Sequence, residues 1–306
     1  MRIPVNAISF CASRGFISGA QTRPFFEAFR SGLIDLGYVE GKSVLFHARF
    51  GDGSNERLAE LADALVRERP DVIVTQGGPA LQAVRKVAQD LPLVYGFSGD
   101  PVAAGLAKSL AHPGSNMTGI SFMSLDLVGK RMELLKEAVP RLKSIAILAN
   151  PEHPGEPLER RVSQSSAGAL GLEHTYFQVQ SAGELDVAMT AIAKTGVEGL
   201  VVFPDALTSA NRQRLSESAI KAGVAAISGW AQFAESGFLM SYGPNLRESY
   251  RRLATFVDKI LKGANPANLP IELPSVVEMV VNVRTAKLLG LNIARSVLLR
   301  ADRVIE

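Results

Sequence analysis

From end to end the chain alternates between short apolar runs and stretches with helical spacing, and Gly, Pro, Asn or Asp marks each change. Runs such as Val72-Ile73-Val74 and Leu200-Val201-Val202 are continuous rather than alternating. A strand that is apolar on both sides is buried on both, as in a parallel sheet covered by helices. The pattern predicts strands over 5–10, 44–50, 72–75, 93–97 and 118–121, then over 144–148, 174–178, 200–203, 225–228 and 239–241. Between them, Phe25, Phe29, Leu33 and Leu36 form one helical stripe that stops at Gly37. Leu58, Leu61, Ala62 and Leu65 repeat it before Pro70, and Met132, Leu135 and Val139 before Pro140. Parallel strands joined by helices require right-handed crossovers, so the chain belongs to the α/β class.

The order is also duplicated. Residues 71–99 read strand, Gly/Pro loop, helix, strand, and residues 198–230 read the same way. At about 100–200 residues per domain, a length of 306 fits two such lobes. After the second set of strands, a long helix over 246–261 ends at Gly263, a Pro-punctuated segment covers 265–274, and a last strand and short helix fill 276–289. That tail is too short for a third domain. The chain is therefore expected to return and finish both lobes, with 1–121 and 239–273 in the first and 122–238 and 274–306 in the second.

Composition removes several function classes. The net charge of +3 is spread without a basic run, unlike the stripe of a nucleic-acid binder, so no nucleic-acid partner is expected. No apolar stretch approaches the ~20 residues of a membrane span. Cys11 is the only cysteine, which forbids an internal disulfide, and with only four histidines a zinc site is not expected. His112 and His153 lie in His-Pro-Gly turns, His47 and His174 in strands, and no carboxylates join them at ligand spacing. The nearest approach to a nucleophile elbow, Gly96-Phe97-Ser98-Gly99-Asp100, ends in Asp. Gly37-Tyr38-Val39-Glu40-Gly41-Lys42-Ser43 is one residue short of a phosphate loop and follows a helix instead of a strand. No catalytic residues, no cofactor and no metal are expected.

Ligands of open parallel sheets bind beyond the carboxyl ends of the strands, where helix N-termini converge. Those loops contain Gln76-Gly77-Gly78-Pro79, Ser98-Gly99-Asp100-Pro101, Asn150 and the turn after it, Pro204-Asp205-Ala206 and Gly229-Trp230. Gly77 and Gly78 clear side chains from the start of a helix at Pro79, either to present amides to a polar acceptor or to make a tight turn. Asp100 and Asp205 can cap helices or meet a ligand. Phe97, Phe203 and Trp230 stand at strand ends, where aromatics serve the core or stack against a planar group.

Four segments follow one another from Asp71-Val72-Ile73-Val74 through Gly99-Asp100-Pro101-Val102 and Pro113-Gly114-Ser115-Asn116-Met117-Thr118-Gly119 to Gly129-Lys130-Arg131-Met132-Glu133-Leu134-Leu135. In that order they resemble a family of bacterial ABC-transporter substrate-binding proteins that includes the tryptophan/tyrosine-type binders. Tyr242-Gly243-Pro244-Asn245, Thr285-Ala286-Lys287-Leu288-Leu289-Gly290-Leu291 and Ala301-Asp302-Arg303-Val304-Ile305 continue the likeness. The resemblance implies a type I periplasmic-binding-protein fold: two Rossmann-like parallel-sheet lobes joined by three crossing strands, with a small molecule closed between them. It implies delivery to ABC permease subunits by a monomeric, periplasmic protein whose export signal has been removed or mis-started, since the sequence opens without one. By position, the family's binding loops map onto Ser13, Gln76, Gly77, Gly78, Phe97, Ser98, Asp100, Asn150 and Asp205, with Trp230 close by. Ser13, Ser98 and the Gly77 and Gly78 amides are then expected to hold a carboxylate, Asp205 to accept an amino or hydroxyl group, and Trp230 or Phe97 to pack on the apolar part.

Two other classes share the architecture. A cytosolic or receptor-type sensor has the same lobes, but its DNA-binding version carries a helix-turn-helix ahead of the first strand. An α/β enzyme working at the cleft needs an acid–base or nucleophile pair, and the sequence displays none.

Overall fold

The computed structural model describes residues 6–12, 19–50, 55–123 and 125–306. The chain forms two compact units, Met1–Met123 with Leu246–Ser275, and Ser124–Asn245 with Val276–Glu306. Each has its own sheet.

The first unit opens with β1 (Asn6–Ala12), α1 (Gly19–Asp35), β2 (Val44–Phe50), α2 (Asn55–Arg67), β3 (Val72–Gln76), α3 (Gly78–Val87), β4 (Leu93–Phe97) and β5 (Met117–Ser121). The five strands are all parallel in the order β2-β1-β3-β4-β5. Val72, Ile73 and Val74 have no solvent exposure, as a strand covered on both faces requires.

The second unit begins with α4 (Asp126–Ala138), β6 (Ser144–Ala149), α5 (Glu156–Ala169), β7 (Glu173–Gln178), α6 (Ala182–Thr195) and β8 (Gly199–Val202). It continues with α7 (Ala206–Ala210), α8 (Arg212–Lys221), β9 (Ala225–Ser228), α9 (Ala231–Glu235) and β10 (Met240–Pro244). The chain then crosses back to lay α10 (Leu246–Leu261) on the first unit and returns with β11 (Val277–Asn282), α11 (Val283–Leu288), α12 (Arg295–Leu298) and β12 (Arg303–Ile305). The second sheet has the order β12-β11-β10-β9-β8-β6-β7, parallel except where β10 meets β11. Its β7-β6-β8-β9-β10 part repeats the β2-β1-β3-β4-β5 order of the first sheet.

Helix α10 buries Leu246, Tyr250, Leu253, Ala254, Val257 and Ile260 at three-to-four-residue spacing, and it packs on α1. A Cβ on Gly32 of α1 would lie 2.4 Å from the Arg251 carbonyl oxygen, so glycine permits that approach. Tyr38 donates to Asp258 at 3.0 Å, and Arg251 pairs with Asp35 at 2.6 Å. Burying each large apolar side chain of this helix is worth about 1.5–3 kcal/mol, which fixes the returning segment to its unit.

The expected boundary at 239 differs from the structure. Strand β10 pairs with β9 through Met240↔Ile227 and with β11 through Met240↔Val281, so 239–245 belongs to the second unit and the return begins at Leu246. The apolar run marks a strand at 239–241, but it carries no information about which sheet receives it.

Candidate functional site

In both sheets the strand order reverses next to the first strand, between β1 and β3 and between β6 and β8. The crevice outside the carboxyl ends of such strands is where open α/β sheets take ligands. In the first unit it is bordered by the turn after β3, and in the second by the segments after β6 and β8. Ser13, expected on the first rim, lies outside the described residues.

After β3, Gln76 is half-buried and Gly77 turns the chain with φ +85°, a conformation that favours glycine. The Gly77 N–H donates to the Gly96 carbonyl at 3.2 Å, and its carbonyl accepts from Leu81 N at 3.1 Å. Gly77 therefore does not offer its amide as expected. The donors of the first turn of α3 that helical geometry leaves over are Gly78 and Ala80, since Pro79 has none. Phe97 is 2% exposed and stands edge-on to Tyr95 at 6.3 Å. A Cβ on Gly78 would be 3.4 Å from its ring. Phe97 thus supports the turn from the core and presents no stacking face. Ser98 is half-buried at the end of β4. Asp100 Oδ1 accepts from Val102 N at 2.8 Å and Ala103 N at 3.2 Å, which makes it the cap of the following turn.

In the second unit, Asn150 and Asp205 come together from positions far apart in the chain. Asn150 Nδ2 donates to Asp205 Oδ2 at 2.9 Å, while Asn150 Oδ1 accepts from Glu152 N at 3.0 Å. Asp205 is 4% exposed and caps α7 reciprocally: its Oδ1 accepts from Thr208 N at 2.7 Å, and its own N–H donates to Thr208 Oγ1 at 3.0 Å. Each carboxylate oxygen accepts at least one hydrogen bond, yet Oδ2 retains capacity for a further donor. Trp230 is half-buried where β9 leads into α9, with its ring 6.5 Å from that of Phe233.

Beneath these segments lies a buried polar group that sequence reasoning missed. Arg131 of α4 is 2% exposed, and its Nε donates to the Tyr242 carbonyl at 2.8 Å. Glu156 and Glu159 open α5 on its buried face, followed by Ser163. Tyr176 of β7 donates to Glu156 Oε1, and Arg160 stacks over the Tyr176 ring at 5.2 Å. Burial pushes the Glu159 carboxyl up to about 7; the Arg131 charge opposes this, and Asp205 and Glu156 reinforce it. Burial also lowers the Arg131 guanidinium and the His153 imidazole, although Asp205 and Glu156 pull His153 the other way. One signal was present in the sequence: Arg131 falls on the stripe of Val128, Met132 and Leu135, where helical spacing calls for an apolar residue.

The segments after these strands carry hydrogen-bonding groups and the Trp230 indole. Among the described residues, no three or more His, Cys, Asp or Glu side chains are grouped to hold a metal ion. No helix among the described residues is long and apolar enough to cross a membrane.

Comparison with known proteins agrees with the sequence resemblance. Residues 13–305 match the family model described as ABC transporter substrate binding protein. A tyrosine-binding protein of Clostridioides difficile is 23% identical over 266 residues, which span 87% of this chain and 76% of that protein. The ABC domain from Streptococcus pneumonia, solved in complex with L-Trp, superposes with a TM-score of 0.89 at 25% identity, covering 99% of this chain and all of that one (100%). A conserved domain protein from Vibrio cholerae has a TM-score of 0.88 at 25% identity, over 98% of this chain and 100% of its own. These matches identify the lobes as those of a periplasmic-binding-protein fold. The chain belongs to the ABC transporter substrate-binding protein family.

Proposed function

We propose that this chain is the extracytoplasmic substrate-binding component of an ABC importer and that its ligand is an aromatic amino acid. The observation that carries the reading is that two relatives, matching 87% and 99% of the chain, are a tyrosine-binding protein and a domain in complex with L-Trp. The rims supply chemistry suited to such a molecule. The N-terminus of α3, with Gly78 and Ala80 amides, together with Ser98, suits a carboxylate. Asp205 Oδ2, already oriented by Asn150, suits an ammonium group. The indole of Trp230 suits an aromatic side chain. The protein acts by hinge closure instead of turnover: the ligand shifts the open–closed equilibrium through the contacts that only the closed state makes, and the permease reads that state.

The test is to denature the purified protein, identify released small molecules by mass spectrometry, and then scan the proteinogenic amino acids by thermal shift. Stabilisation by tyrosine, tryptophan or phenylalanine, with aliphatic residues inert, is the expected result. Stabilisation by leucine or glutamate alone overturns the ligand class.

A further inference from the structure

The buried Arg131 lies against the backbone that carries Trp230. Its Nε holds the Tyr242 carbonyl of β10 at 2.8 Å. Its guanidinium also occupies the space in front of Gly229, where a Cβ would stand 2.7 Å from Nη2 and 3.0 Å from Cζ. Gly229 and β10 are themselves in close contact, since a Cβ on Gly243 would fall 1.9 Å from the Gly229 carbonyl oxygen. One planar group therefore faces two adjacent backbone segments, and Trp230 is the next residue along one of them. Burying a guanidinium is costly, and an apolar residue would suit the stripe of Val128, Met132 and Leu135 better. A branched apolar side chain, however, cannot hydrogen-bond a carbonyl and lie flat against a glycine at once.

We propose that Arg131 is a positioning residue for the binding site, which fixes the Gly229-Trp230 turn against the Tyr242 carbonyl. The effect on ligand affinity rests on the site assignment above; the effect on the turn does not.

Trp230 is the only tryptophan, so its emission and acrylamide quenching report the turn in ligand-free protein. Arg131→Lys keeps the charge but loses the planar fork, and Gly229→Ala pushes on the same contact from the opposite side. The control is Leu142→Ala, a core truncation next to Gly199 at the start of β8, remote from the turn. Arg131→Lys and Gly229→Ala are expected to red-shift the emission and raise quenching, while Leu142→Ala lowers the melting temperature with the wild-type spectrum intact. Affinity for tryptophan or tyrosine should fall about tenfold in the first two, equivalent to about 1.4 kcal/mol. Should Gly229→Ala fail to fold, Arg131→Lys still decides; should Arg131→Lys fail, Arg131→Gln, which keeps a donor for the Tyr242 carbonyl, takes its place. Unchanged Trp230 spectra in the folded variants, or an equal shift in Leu142→Ala, would reduce Arg131 to a structural residue and overturn the proposal. Because the spectra need no ligand, failure of every aromatic amino acid to bind would count against the ligand reading alone.

Discussion

Replacing Glu159 with Gln should remove a specific part of the pH dependence of folding. The side chain is 5% exposed, and burial is the main cause of a carboxyl shifted from the ordinary 4.5 to about 7. Between those values the unfolded chain ionises at this position while the folded chain stays protonated. Each pH interval of one in that condition costs about 1.4 kcal/mol of folding free energy. The window from 4.5 to about 7 therefore amounts to about 3 kcal/mol. The sign follows from the raised value: this stability is fully present below pH 4.5, declines as pH rises, and is gone above about 7. His153 acts in the opposite sense, because a lowered imidazole makes stability fall as pH drops below 6.5. The wild-type curve alone mixes the two, whereas the difference between wild type and Glu159→Gln isolates the carboxyl. Urea unfolding followed through Trp230 reports the second unit, where both groups lie. Relative to wild type, Glu159→Gln should gain about 3 kcal/mol on going from mildly acidic to mildly basic buffer. A difference that stays flat across that range, or one that moves the other way, refutes the reasoning.

Other perturbations separate support from contact. Asp205→Ala removes the α7 cap and the partner of Asn150, and should cost about 1–3 kcal/mol in the same unfolding assay, while Asp205→Asn keeps a capping oxygen and costs less. Gly119→Ala in β5 would set a Cβ 2.1 Å from the Tyr95 carbonyl oxygen at φ +154°, so a loss of about 3 kcal/mol or more is expected by calorimetry. Trp230→Ala should weaken aromatic amino acid binding about tenfold with the circular dichroism spectrum unchanged.

The strand–helix rhythm made most of the architecture legible before any coordinates. Val44–Phe50, Leu93–Phe97, Ala225–Ser228 and Leu246–Leu261 have the bounds that periodicity and punctuation predict, because each is a local pattern with a clear stop. Strand β12, of only three residues and exposed at the sheet edge, offered no run long enough to find. Sheet membership of β10 was illegible for a different reason, since pairing partners are remote in sequence. The candidate site divides in the same way. Strand order and the Gly77-Gly78 turn mark the candidate loops, yet the carbonyl that engages the Gly77 amide belongs to Gly96 in another strand. Phe97 as core was an open reading that only tertiary neighbours such as Tyr95 decide, whereas the Asp205 cap is local and its partner Thr208 lies three residues along the chain. Glu156, Glu159 and Ser163 form the buried stripe of α5, and a search for apolar stripes passes over a polar one.

Isothermal titration of the full chain with L-tryptophan, L-tyrosine and L-leucine, followed by recovery of the ligand, tests the central claim most directly. The account predicts saturable, stoichiometric binding of an aromatic amino acid, its recovery unchanged, and no heat from leucine at the same concentration. Absence of binding by every aromatic amino acid, or recovery of a chemically altered ligand, would contradict it.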